Sequence, residues 1–123
     1  MDRKEELRQR TKRFAVSIIR LYCMLPKNRL EVQVVGKQML RAGTAVAAIY
    51  REASRARSKA DFIAKIELCT QEADETQMWL EILKEGCSLD LPLRAELWQE
   101  ADELIAIFVT MAKNTKGTAT TSS

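Results

Sequence analysis

Between Ser58 and Gly86 the chain reads SKADFIAKIELCTQEADETQMWLEILKEG, and Phe62, Ile66, Cys69, Ala73, Thr76, Leu80 and Leu83 recur there at alternating steps of four and three. That spacing puts all seven on one narrow stripe of a helix, the seam of a rod that packs lengthwise against other rods. Ser58 and Asp61 have the spacing of a capping box, in which the hydroxyl accepts one orphan amide and the carboxylate reaches back to another. Gly86 is placed to supply a left-handed residue that ends the helix.

The same rhythm runs through the rest of the chain. A first helix is predicted from about Asp2 to Leu25, with Leu7, Thr11, Phe14, Ile18, Leu21 and Leu25 inward and Pro26 and Asn28 as the stop. A second apolar line on it, Val16, Ile19 and Cys23, falls opposite the first at 100° per residue, and a helix with two apolar faces points to a subunit contact. A second helix is predicted from about Leu30 to Ser54, with the stripe Val35, Met39, Ala42, Val46, Ile49 and Ala53. Gly36, Gly43 and Ala47 gather on one flank, where a neighbouring backbone can come close and offset the roughly 1 kcal/mol that each helical Gly costs. Pro92 opens a fourth helix that is expected to reach about Lys113, with Leu93, Leu97, Ala101, Leu104, Phe108 and Met111 inward. Trp98, Ile105 and Val109 form its second apolar line. The last ten residues, NTKGTATTSS, are small and polar and are expected to be a disordered tail.

Four amphipathic helices on short connections predict one domain over residues 1–113, an all-α, antiparallel, up-down-up-down, left-handed four-helix bundle. Only Arg55-Ala56-Arg57 joins the second helix to the third, which forces a hairpin and sets Arg41 at the height of Glu72, with Glu75 about one turn away. An interhelical ion pair between Arg41 and these two acids follows.

Charge is distributed unevenly. Residues 1–60 hold 15 Lys+Arg against 5 Asp+Glu, and residues 61–123 hold 5 against 12, within a chain whose formal net charge is +3. Such halves fit either a polyanion partner or neutralisation between helices and subunits. Arg8, Lys12, Arg13, Arg20, Arg51, Arg55 and Arg57 are the candidate phosphate contacts, in a sequence-blind electrostatic mode, since no base-reading module is visible. Three cysteines without CxxC spacing and an amino terminus without a signal-peptide core point to a reduced cytoplasmic protein, with no membrane span.

Chemistry is poorly supplied. With no histidine in the chain there is no imidazole base or ligand, and the acids Glu72, Asp74 and Glu75 lack the Glu-x-x-His partners of a di-iron bundle. No catalytic residue, cofactor, metal site or small-molecule substrate is expected. Cys69 falls on the core stripe and reads as packing; Trp79 and Trp98 read as packing or interface anchors.

Over Gln38 to Leu83, QMLRAGTAVAAIYREASRARSKADFIAKIELCTQEADETQMWLEIL, the polar signature Arg41, Gly43, Thr44, Arg51, Glu52, Ser58, Lys59, Glu72, Asp74, Glu75, Thr76 and Trp79 resembles a known family. It is the four-helix-bundle family related to proteins encoded by intervening sequences in bacterial large-subunit (23S) rRNA genes, and Glu103 to Val109, ELIAIFV, is similar to it as well. The resemblance implies a bacterial cytosolic bundle of unsettled role and, from structurally similar members, a homo-oligomer built as a five-membered ring. A more distant relative, the accessory protein of diversity-generating retroelements, holds reverse transcriptase and nucleic acid on a basic ring. The chain departs from the family pattern at Ala45, Ala47 and Ile49, where Ser, Gly and Asn are usual, which leaves open whether a polar task of those positions is kept. Two readings remain open from the residues: an oligomeric scaffold that binds RNA or other single-stranded nucleic acid, and a structural assembly module whose charged halves neutralise each other.

Overall fold

A computed structural model describes the backbone of residues 2–121 and the side chains of residues 2–117. It contains α1 (Arg3–Met24), α2 (Leu30–Ala53), α3 (Lys59–Glu85) and α4 (Pro92–Thr121), with no strand among the described residues. Each helix begins and ends for a local reason. Asp2 caps α1 by accepting from the Glu5 amide at 2.8 Å, and Ser58 caps α3 by accepting from the Asp61 amide at 3.0 Å. Pro26 and Pro92 bar continuation of the preceding segment and start the next helix respectively.

Contacts between helices run in opposite senses along the chain. Arg41 meets Glu72 while Glu52 meets Lys65; Glu81 meets Trp98 while Glu67 meets Lys116; Tyr22 meets Gln33 while Tyr50 meets the Lys4 carbonyl. Rising numbers on one helix therefore pair with falling numbers on the next, as short connections require. α3 packs extensively on α2 and α4, whereas α1 and α4 touch far less. Arg10 spans that looser seam, donating through Nε and Nη2 to Glu100 at 2.8 and 2.7 Å and through Nη2 to Glu103 at 2.9 Å. Hydrogen bonding to Glu100, and then to Glu103, raises the guanidinium pKa, so Arg10 stays charged.

The apolar stripes meet in one core. Phe14, Ile18 and Leu21 of α1, Val32, Met39 and Val46 of α2, Ile66, Ala73, Leu80 and Leu83 of α3, and Leu104 and Phe108 of α4 are almost wholly excluded from solvent. At about 25 cal/mol per Å² of buried apolar area, side chains of this size each contribute roughly 1.5–3 kcal/mol. Thr11 and Thr76, polar members of the stripes, satisfy their hydroxyls on the carbonyls of Leu7 and Glu72, at 2.8 and 2.7 Å. Cys69 is buried at the α2–α3 contact, and burial followed by the charge of Glu52 pushes its thiol up to about 12. It is therefore protonated and unreactive at neutral pH.

Three local expectations are corrected. Gly86 is not left-handed; its φ is −95°, and the reversal falls at Ser88, φ 57°, where the Leu89 amide reaches the Leu83 carbonyl at 2.9 Å. Gly86 is wanted for room instead, since a Cβ there would lie 3.1 Å from the Ile82 carbonyl oxygen. On α2 the residue that reaches the core beyond Val46 is Tyr50, stacked on Phe108 with ring centroids 6.0 Å apart, while Ile49 is only half-buried. Burial also pushes the Tyr50 hydroxyl up to about 12. The tail expected from Asn114 continues α4 to Thr121; residues 122–123 lie outside the described part. Thr115 bonds back to the Met111 carbonyl at 2.8 Å and Lys116 reaches Glu67 at 3.0 Å, so the segment draws on α3 rather than on its own composition.

The flank of α2 that carries glycine lies against α1. A Cβ on Gly43 would sit 2.8 Å from Ile18 Cγ1, and one on Gly36 3.0 Å from Leu25 Cδ1. Ile18 is fully buried and has no room to yield. Gly43→Val is therefore expected to cost about 1–3 kcal/mol through overpacking, read as a fall of several degrees in the thermal midpoint by circular dichroism. Gly117→Ala, at a position with nothing within 4 Å, leaves the midpoint unchanged or raises it. Equal tolerance of both changes would contradict the close approach.

Candidate nucleic-acid interface

With α1 held close to α2, the polar residues just beyond the contact are brought together. Arg8 and Lys12 of α1, Arg51 near the end of α2, Arg55 after it, and Lys65 of α3 line a depression of about 720 Å³ whose floor is Ala47 and Ala48. Ala47 and Ala48 are small residues of α2, and the saddle they help to line draws its other residues from α1, α2, α3 and the α2–α3 hairpin. Glu52 and Asp61 also line it, and Lys65 is held by Glu52 at 3.0 Å. Hydrogen bonding to Glu52 raises the Lys65 pKa. Five cations face two carboxylates, a net of three positive charges in one concavity.

Arg8 is the most constrained of the five. Its Nη1 donates to Glu5 at 3.1 Å, yet its Nε is buried and has no hydrogen-bond partner. A buried donor left unsatisfied costs about 1–3 kcal/mol, which an incoming anionic oxygen would recover.

The sequence-predicted cations thus separate into groups. Arg8, Lys12, Arg51 and Arg55 converge on the saddle. Arg13 and Arg20 lie on α1 beside Val16, Arg13 also lining a groove with Glu96 and Glu100 of α4, and Arg57 is exposed in the hairpin without lining the saddle. Lys65 and the two tempering acids were missed; the α2–α3 hairpin register that placed Arg41 also puts Lys65 beside Glu52.

Arg41 lies where its register places it. Its guanidinium donates to Glu72 at 3.3 and 3.4 Å and to Glu75, and hydrogen bonding to Glu72, then to Glu75, raises its pKa. Trp79 Nε1 donates to Glu75 at 3.2 Å, so this group closes on itself within the subunit.

Of the apolar residues outside the core stripes, Val16 and Ile19 are 40% and 44% exposed and Cys23 is exposed, all on the outer side of α1. Val109 is 51% exposed, while Trp98 and Ile105 are half-buried. Trp98 and Val109 border α3 in two grooves between α3 and α4, so the two apolar lines do not merge into one patch.

Among the described residues no group of three or more His, Cys, Asp or Glu is arranged to hold a metal ion, and no helix is long and apolar enough to cross a membrane. The sequence profile of the family described as 23S rRNA-intervening sequence protein matches residues 3–113. The chain belongs to that family. A solved structure from Bacteroides thetaiotaomicron, a protein of unknown function from the S23 ribosomal protein family, is 34% identical, with a TM-score of 0.78 over 86% of this chain and 97% of that one. No curated protein matches. Membership of the 23S rRNA-intervening sequence protein family accounts for the four-helix architecture; it carries no established activity.

The Arg41 contact is half exposed, and such pairs contribute about 0.5 kcal/mol. Arg41→Glu is expected to lower stability in urea titrations, and adding Glu72→Arg to recover part of the loss. Strictly additive effects in that double-mutant cycle would refute the coupling.

Proposed function

We propose that this chain is a non-enzymatic, self-assembling cytoplasmic scaffold that holds RNA by its phosphates in the saddle formed by α1, α2 and α3. The observation that carries the reading is the convergence of Arg8, Lys12, Arg51, Arg55 and Lys65 on a small-residue floor, with the Arg8 Nε buried and unpartnered. The family description names an rRNA insertion, which makes RNA the first polyanion to try. Arginine suits the task because its planar fork matches phosphate oxygens and stays charged. Ala47 and Ala48 keep the floor low enough for a backbone to cross α2 without meeting a side-chain wall. No aromatic ring lines the saddle, so binding is electrostatic and indifferent to sequence. Repetition of the saddle in an assembly multiplies weak phosphate contacts into useful avidity.

The test is filter retention of a single-stranded RNA as salt is raised. With about four phosphate contacts per subunit, affinity is expected to fall roughly 50-fold between about 50 and 200 mM salt. Arg51→Gln with Arg55→Gln should weaken binding and flatten that slope by about half, while Arg41→Gln, whose guanidinium is already engaged by Glu72 and Glu75, should leave both unchanged. No retention at low salt, or equal loss from the Arg41 variant, would overturn the reading.

A further inference from the structure

We infer that Asp61 accepts a hydrogen bond from the 2′-hydroxyl of a ribose in the saddle and so makes this surface select RNA over DNA, a role that rests on the saddle reading proposed above. A concavity that met nothing but phosphate would gain from cations alone, yet this one sets two carboxylates among its five cations. Like charge beside a phosphate works against binding. Glu52 is accounted for, since it holds Lys65 at 3.0 Å. Asp61 is not: among the described residues its carboxylate takes part in no hydrogen bond or ion pair. Its charge is felt at Lys65, whose pKa is raised first by the Glu52 hydrogen bond and to a smaller degree by Asp61.

The local structure leaves that carboxylate for another use. Ser58 caps α3 by accepting from the Asp61 amide at 3.0 Å, but the reciprocal half of a capping box, from the Ser58 amide to the Asp61 carboxylate, is not formed. Asp61 is exposed and lines the saddle together with Arg51 and Arg55. A negative side chain in the first turn also suits the N-terminus of α3. That service is indifferent to the sugar of a bound strand, so the two roles can be told apart.

An ionised carboxylate can only accept hydrogen bonds. On a nucleic-acid backbone the phosphate and ether oxygens are acceptors as well, and the one donor is the 2′-hydroxyl, which DNA lacks. Base N–H groups donate too, but they are common to both polymers. The depression of about 720 Å³ has the volume of a pocket for a drug-sized molecule, so sugar enters with the phosphates. With a phosphate on Arg51 and Arg55, the adjoining ribose is brought to Asp61 across the α2–α3 hairpin. RNA exchanges the carboxylate's repulsion for a charge-assisted hydrogen bond, whereas DNA keeps the repulsion alone.

The experiment measures filter retention by the full chain, at low salt, of oligouridine, oligodeoxyuridine and 2′-fluoro oligouridine of one length. The fluoro strand keeps the ribose pucker but has no hydroxyl to donate. Wild type is expected to hold the ribose strand about tenfold more tightly than the other two, the effect of one hydrogen bond to a charged group. Asp61→Ala should bring the three affinities within about twofold of one another, chiefly by tightening the strands that lack the hydroxyl. Asp61→Asn, which drops the charge but keeps an acceptor oxygen, should retain part of the preference. Asp74→Ala, the same loss of charge on α3 at an exposed residue outside the saddle, should leave the preference as it is. Far-UV dichroism verifies folding, and if Asp61→Ala unfolds the chain, a reduced preference in Asp61→Asn supports the contact and an unchanged one overturns it. Equal retention of all three strands by wild type, a preference that survives Asp61→Ala, or one lost just as fully in Asp74→Ala overturns the ribose contact and leaves the saddle standing. No retention of any strand overturns the saddle reading and this inference with it.

Discussion

Where Gly43 meets Ile18, α1 comes as close to α2 as a missing side chain allows, and the placing of Arg8 and Lys12 against Arg51 in the saddle depends on that approach. Arg8 and Lys12 lie on α1 beyond Ile18, and Ala47, Ala48 and Arg51 lie on α2 beyond Gly43, so one contact sets the α1 side of the saddle against its α2 residues. A larger residue at 43 would push the helices apart, and the Arg8 Nε would gain water in place of its buried, unpartnered setting. Packing density thus acts on electrostatics: the core of α1 and α2 is the scaffold on which positive charge is concentrated.

The second organising feature is the separation of spent from unspent charge. Arg10 binds Glu100 and Glu103 across the α1–α4 seam, where apolar contact is sparse, and Arg41 binds Glu72 and Glu75 across α2–α3. These pairs are partly exposed and contribute little to stability, but they fix which faces meet. What remains on the surface is a cationic saddle and an α1 ridge on which Arg13 and Arg20 lie beside Val16. The saddle suits a phosphate backbone.

Much of this was legible in the residues because the heptad rhythm of α3 has one solution: Ile66, Cys69, Ala73, Thr76, Leu80 and Leu83 are all buried. The short hairpin then dictated register, which located Arg41 opposite Glu72. Legibility failed where tertiary contact outranked local pattern. Tyr50 lies beside Ile49 in sequence, and it is Tyr50 that meets Phe108 of α4 and the Lys4 carbonyl of α1, contacts that the local pattern does not contain. The segment after Lys113 has a disordered composition, yet Lys116 finds Glu67 on a helix that composition does not consider. At the candidate site, a roster of basic residues was readable, but not its division between saddle and outer ridge, because that depends on which side of α1 the core occupies at each turn. The family signature itself, Arg51 and Glu52 among it, surrounds the saddle without periodicity requiring it to.

The account stands on phosphate contact at the saddle, and the most direct measurement follows arginine side-chain Nε–H signals by NMR as a single-stranded RNA is added. The Arg8 and Arg51 signals should move together and saturably, with Arg8 shifting most because its buried Nε gains its missing acceptor, while Arg10 and Arg41, already held by carboxylates, stay in place. Signals that do not move, or that move equally for all four arginines, would contradict the saddle as the binding surface.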